Sequence, residues 1–196
     1  MSSPVTINDN KRVLIAITGA SGIRYALKLA RVLSEMNLLE GIIYTKSAVL
    51  VAQHEEDIDL VKEISRYTNN IYEENDLGAP YASSSRAPQA MVIVPCSMNT
   101  LAKIAHGIQD NLVTRAALSM LRLRRRLVLV IRETPLGVAE IYNMLLSSLM
   151  GAIILPASPG FYSKPRDLED ITNFIAGKIL DALGISNNLY RRWGSD

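Results

Sequence analysis

One cysteine, Cys96, is all the thiol in this 196-residue chain, which excludes an internal disulfide and fits a reducing compartment. Histidine is almost as scarce: His54 and His106 stand apart, and no cluster has the spacing of metal ligands, so no metal is expected. Excess charge is missing too. Twenty-one Lys and Arg against 19 Asp and Glu leave a net charge of +2, too little for a general binder of nucleic acid or membrane surfaces. Met1 to Asn10 lacks the basic start and apolar stretch of a signal peptide and reads as a flexible tail. The uncharged run Ile141 to Ser163 is interrupted by Asn143, Gly151, Pro156, Pro159 and Gly160, so it reads as helix, strand and loop in succession. A soluble, cytoplasmic protein is expected, with residues 11–196 as a single domain.

What is present is a rhythm of buried strands and amphipathic helices. Arg12 to Thr18 is a continuous apolar run of strand length, and Ile23, Ala26, Leu27, Ala30 and Leu33 then recur at helical spacing. Gly41 to Thr45, Ala90 to Val94, Leu127 to Ile131 and Ala152 to Leu155 predict further strands. Helices are expected at Ser47 to Glu55, Thr100 to Ala105, Leu112 to Arg122, Val138 to Leu149 and Leu168 to Leu183. Asp57 to Pro88 reads as irregular, apart from a helix at Leu60 to Tyr67. The fold class is therefore α/β: a doubly wound (Rossmann or flavodoxin-like), mostly parallel sheet with helices on both faces. Ligands of such sheets bind outside the carboxyl ends of the strands.

The residues after each strand carry the functional signal. Thr18-Gly19-Ala20-Ser21-Gly22 lets a backbone approach a phosphate at a helix N-terminus, with Ser21 as an N-cap; it serves equally as a tight turn. Thr45-Lys46-Ser47 follows the second strand, with Glu55 two helical turns on, where a solvated carboxylate is the plainer account. Ser97, Met98, Asn99 and Thr100 offer hydroxyl and amide groups, and Cys96 fits a small core residue. Arg132-Glu133 is an opposite-charge pair directly after a buried strand. The arginine suits bidentate binding of a phosphate, and the carboxylate suits proton exchange with the same group. The stiff loop Pro156 to Tyr162 presents Tyr162 either as packing or as a ligand group. Lys178 falls within a helical stripe of Leu168, Ile171, Ile175 and Ala182, which predicts either snorkelling or a buried anion. The run Arg122 to Arg126 is expected to end a helix and pack at the surface or between subunits.

Taken in order, ITGASG, TKSA with Glu55, PCSMNTLAKIAHGIQDNLVTRAA, RRRLVLVIRETPL, GAIILPASPGFY and the terminal RRW resemble the UbiX flavin prenyltransferases from about Lys11 to Trp193. The resemblance implies a metal-independent transferase that joins a dimethylallyl group from dimethylallyl phosphate to N5 and C6 of reduced flavin mononucleotide (FMN). Its product is the cofactor of UbiD-type decarboxylases, and the usual assembly is a dodecamer. It further implies FMN contacts from Gly19, Ala20, Ser21, Thr45, Ser97, Met98, Asn99, Thr100 and Arg132. The donor contacts it implies are Arg115, Arg122, Arg132, Glu133, Tyr162 and Lys178, with Ser21, Glu55 and Glu133 moving protons. Arg122 stands where lysine is common, Lys178 where arginine is common, and Leu77 where some relatives have tryptophan. Two other readings are a flavin-dependent decarboxylase of the cysteine-decarboxylase type and a non-catalytic FMN carrier. The first loses ground because no histidine lies between Glu55 and Lys103. A carrier has no use for a second anion site.

Overall fold

The computed structural model describes residues 12–194, so the expected tail at residues 1–10 lies outside the described residues. Six strands form one sheet in the order β3-β2-β1-β4-β5-β6: β1 (Val13–Ile17), β2 (Leu39–Tyr44), β3 (Ile71–Glu73), β4 (Ala90–Cys96), β5 (Arg126–Ile131) and β6 (Ile153–Pro156). Every pairing is parallel, so the sheet is wholly rather than mostly so. β1 and β4 are buried along their whole length, as expected of apolar runs covered on both faces.

Alternate residues of β1 serve different cores. Val13, Ile15 and Ile17 pack with α1 (Ile23–Glu35), α2 (Lys46–Glu56), α3 (Leu60–Ile64) and α7 (Leu168–Leu183). Leu14 and Ala16 face the other core with α4 (Met98–Ala105) and α5 (Leu112–Arg122). Each large side chain so buried contributes about 1.5–3 kcal/mol relative to exposure.

α6 (Val138–Leu149) departs from this pattern. Among its residues Ser147 is buried, while Val138, Ile141, Tyr142, Leu145 and Leu149 are exposed, Val138 to 85% and Leu149 to 74%. The uncharged run Ile141 to Ser163 resolves into the rest of α6, then β6 and a loop. No helix among the described residues is long and apolar enough to cross a membrane.

β3 is absent from the sequence expectation. It has three half-buried residues, too few to show a period, yet it places Glu74 at the sheet edge. There the Glu74 carboxylate accepts from the Lys46 N–H at 2.9 Å and from Asn111 Nδ2 at 3.0 Å. Its carbonyl accepts from the Leu112 N–H at 2.8 Å, tying the starts of α2 and α5 together.

Candidate functional site

The chain winds outward from β1 through β2 to β3, then returns to β4 and winds the other way. The carboxyl ends of β1 and β4 therefore flank a crevice. Thr18 braces it: the buried hydroxyl donates to the Pro95 carbonyl at 2.7 Å and accepts from the Ser97 N–H at 2.8 Å. Ser97 caps α4, accepting from the Thr100 N–H at 3.2 Å and donating to the Thr100 hydroxyl at 3.0 Å. Thr45 caps α2 through the Ala48 N–H at 3.1 Å and lies 2.9 Å from the Ser47 hydroxyl. Gly19 sits against Ser47, and the Ala20 N–H donates to the Thr18 carbonyl at 2.8 Å. Ser97 and Met98 are half-buried, Asn99 is exposed and Thr100 is buried. The residues expected to hold FMN thus come together at neighbouring strand ends.

A cavity of about 270 Å³ opens at this edge, lined by Ser21, Gly22, Tyr25, Glu55 and Arg132, with Leu168 and Thr172 of α7. Gly22 starts α1 at φ 104°, in the left-handed region that a Cβ disfavours. Its N–H donates to Glu55 Oε2 at 3.0 Å. The expectation for Ser21 is corrected here: Gly22 occupies the cap position, and having no side chain it supplies no side-chain cap. Ser21 is left to line the cavity. Glu55 is likewise anchored by that bond, although its side chain remains exposed. Neighbouring Glu56 is claimed by Arg24 Nε at 2.5 Å.

Arg132 leaves the end of β5 half-buried, and its Nε is buried without a hydrogen-bond partner. Leaving such a donor unmet costs about 1–3 kcal/mol or more, so the group is poised for an acceptor. Tyr25 stands in the same cavity. Burial raises its phenol above the ordinary range, while the nearby Arg132 charge pulls the other way. Glu133 is exposed and accepts from the Thr134 N–H at 3.0 Å, outside the cavity lining.

Tyr162 and Lys178 form a separate group. Tyr162 lies edge-on to Phe174 at 5.9 Å and to Trp193 at 5.3 Å; Phe174 meets Tyr190 at 4.8 Å, and Lys178 Nζ lies 5.7 Å from the Tyr190 ring centre. The expected inward stripe through Lys178 is corrected, because the ammonium side chain is exposed. The buried face of α7 is instead turned by about one residue, through Thr172, Ile175, Ala176, Ile179 and Leu183. The chain after α7 folds back over Gly177 and shifts the face inward.

Arg115 also carries a buried Nε without a partner, and it too is absent from the cavity lining. Arg122 is occupied by Gln109 at 3.3 Å and by Ser119 at 3.0 Å. It closes α5 just before β5 begins, at the amino edge of the sheet, so one chain does not bring it to the crevice. Arg125, in the same basic run, donates to the Ala87 and Pro88 carbonyls. Leu77 is exposed beyond β3. Cys96 is a buried core residue, and that burial pushes its thiol up to about 12. Among the described residues no three His, Cys, Asp or Glu gather as metal ligands.

Tyr25, Leu168 and Thr172 were not anticipated as cavity residues. Tyr25 has a readable signal: three residues beyond Gly22, a helical side chain leans back over the preceding turn. A Cβ placed on Gly22 would lie 2.8 Å from its ring.

The chain's likeness to known proteins agrees with this geometry. The Flavoprotein family model matches residues 1–180. The flavin prenyltransferase UbiX of Saccharolobus solfataricus is 46% identical over 185 residues, covering 93% of this chain and 92% of that protein. A crystal structure of AnUbiX (PadA1) in complex with FMN and dimethylallyl pyrophosphate superposes with a TM-score of 0.90 at 35% identity, covering 95% of this chain and 98% of that one. A dodecameric FMN-dependent UbiX-like decarboxylase from Escherichia coli O157:H7 gives a TM-score of 0.89 at 33% identity, covering 94% and 100%. The chain belongs to the Flavoprotein family and, within it, to the UbiX flavin prenyltransferases.

Proposed function

We propose that this flavin prenyltransferase divides its reaction between two stretches of the sheet's carboxyl edge. The ends of β1, β2 and β4 hold FMN, and the ends of β5 and β6 receive the phosphate of the prenyl donor. The observation that carries this reading is Arg132, whose buried Nε has no acceptor and which lines a cavity together with Ser21 and Glu55.

The residues fit a flavin nucleotide. Small residues Gly19, Ala20 and Ser21 allow close approach, Thr45 and the Ser97 to Thr100 turn supply helix starts and hydroxyls, and Arg132 supplies charge. Reduced flavin, when bound, provides the nucleophile for the dimethylallyl group. Arg132 meets the charge that develops on the departing phosphate, and Glu133 holds or accepts a proton beside it. Ser21 and Glu55, which line the same cavity, manage the flavin's proton. Leu168 and the Tyr25 ring supply apolar wall that keeps water from an allylic cation.

Tyr162, Lys178, Arg115 and Arg122 complete the donor site from neighbouring subunits. The exposed apolar face of α6 supports an assembly of that kind, with a dodecamer as the expected form. The product passes to a UbiD-type decarboxylase in the cytoplasm. No step of the reaction calls on a metal ion.

The test is release of inorganic phosphate from dimethylallyl phosphate under anaerobic conditions. Wild type should release it when reduced FMN is present, and Glu133→Gln should slow release by about 100-fold without weakening FMN binding. Phosphate release by the variant at the wild-type rate would remove Glu133 from the mechanism. No release by wild type would leave a flavin carrier.

A further inference from the structure

Lys178 is a cation without an ion pair among the described residues, although a carboxylate, Asp181, stands one helical turn away. Asp181 is fully engaged elsewhere. It accepts from the Tyr190 hydroxyl at 2.5 Å, from Arg192 Nη2 at 2.8 Å and Nη1 at 3.2 Å, and from Asn187 Nδ2 at 2.9 Å. These bonds fold the chain after α7 back along the helix. Gly177 makes the fold possible, since a Cβ there would lie 2.4 Å from the Tyr190 ring. The returned ring lies beneath the Lys178 ammonium, 5.7 Å from it, and the Arg192 guanidinium lies 5.3 Å from the same ring. Through Phe174, that ring is also in contact with Tyr162.

We propose that Asp181 is a positioning residue for the donor site: it fixes Tyr190 as the platform for Lys178 and keeps its own charge away from that ammonium. This rests on the reading of Tyr162 and Lys178 as donor-phosphate groups. The electrostatics agree. Burial opposes ionisation of Asp181, but hydrogen bonds from Arg192 and Tyr190 outweigh it and hold the carboxyl below its ordinary value. Burial and the Asp181 bond push the Tyr190 phenol up to about 12, so it remains a donor throughout the neutral range. A carboxylate engaged by other donors does not compete with an anion for the Lys178 ammonium. A platform of fixed position limits the rotamers that the long side chain must give up on binding.

The experiment compares Asp181→Asn, Tyr190→Phe and Lys178→Met in the full-length protein. It reads KM for dimethylallyl phosphate, Kd for FMN, and the fluorescence anisotropy of Trp193, the only tryptophan. Asp181→Asn should raise donor KM about tenfold, the scale of hydrogen bonds to a charged group, with FMN Kd unchanged and anisotropy lowered. Tyr190→Phe should move the same quantities less, and it serves if Asp181→Asn does not fold. A raised donor KM in Lys178→Met together with wild-type values in the other two would overturn the role of Asp181 alone. Wild-type KM in Lys178→Met would overturn the donor-site reading and this inference with it. Equal losses of donor and FMN binding in Asp181→Asn would mark a general structural defect and also overturn the proposal.

Discussion

The two halves of the sheet's carboxyl edge are built on opposite principles. At β1, β2 and β4 the polar groups answer one another: Thr18 bridges Pro95 and Ser97, Ser97 meets Thr100, and Thr45 meets Ala48 and Ser47. At β5 and β6 the groups are charged and incompletely met. Arg132 has an unpartnered Nε and Glu133 faces solvent, while Lys178, apart from them on α7, rests on an aromatic ring rather than beside a carboxylate. A surface whose hydrogen bonds are already satisfied costs no reorganisation when a cofactor settles on it. Charges held in waiting are free to meet an anion and the further negative charge that a leaving group gains as its bond breaks.

Breaking the charged half should have the larger effect. Arg132→Ala removes the half-buried arginine whose Nε is unpartnered and should lower the rate of prenyl transfer by about 1000-fold, the upper range for losing a preorganised electrostatic donor. Anaerobic single-turnover kinetics would read it. Arg132→Lys should recover only part of the loss, because an ammonium lacks the planar fork. A variant within a few-fold of wild type would show that the unpartnered Nε is incidental. Breaking the satisfied half should instead cost stability. Thr18→Val keeps the shape but strands the Ser97 N–H, and should lower the unfolding free energy by about 1–3 kcal/mol in urea titrations. An unchanged midpoint would contradict the bracing role of Thr18.

The satisfied half was the more legible in the sequence. β1 and β4 are unbroken apolar runs, and the hydroxyls of Thr45 and Ser97 stand out after their strands, although the helices they cap begin earlier than the spacing predicts. Arg132-Glu133 stands out in the sequence as an opposite-charge pair straight after a buried strand, though the two side chains form no ion pair with each other among the described residues. The rest depended on tertiary packing that periodicity does not report. Lys178 was placed on the inner face of α7 because Ile171, Ile175 and Ala182 align with it. The true face is set by the segment that folds back to seat Tyr190 over Gly177. Gly22, not Ser21, stands at the cap position of α1, its N–H held by Glu55 from another helix, and β3 is too short to announce itself. Arg122 illustrates a different limit. It matches a family position, yet it sits at the amino edge of its own sheet, where only an assembly can bring it to a neighbour's crevice.

The most direct measurement is the mass of the flavin recovered after anaerobic incubation of the purified protein with reduced FMN and dimethylallyl phosphate. The flavin should be heavier by one dimethylallyl unit. Recovery of unmodified FMN, with the donor intact, would contradict the assignment of this strand edge to bond formation.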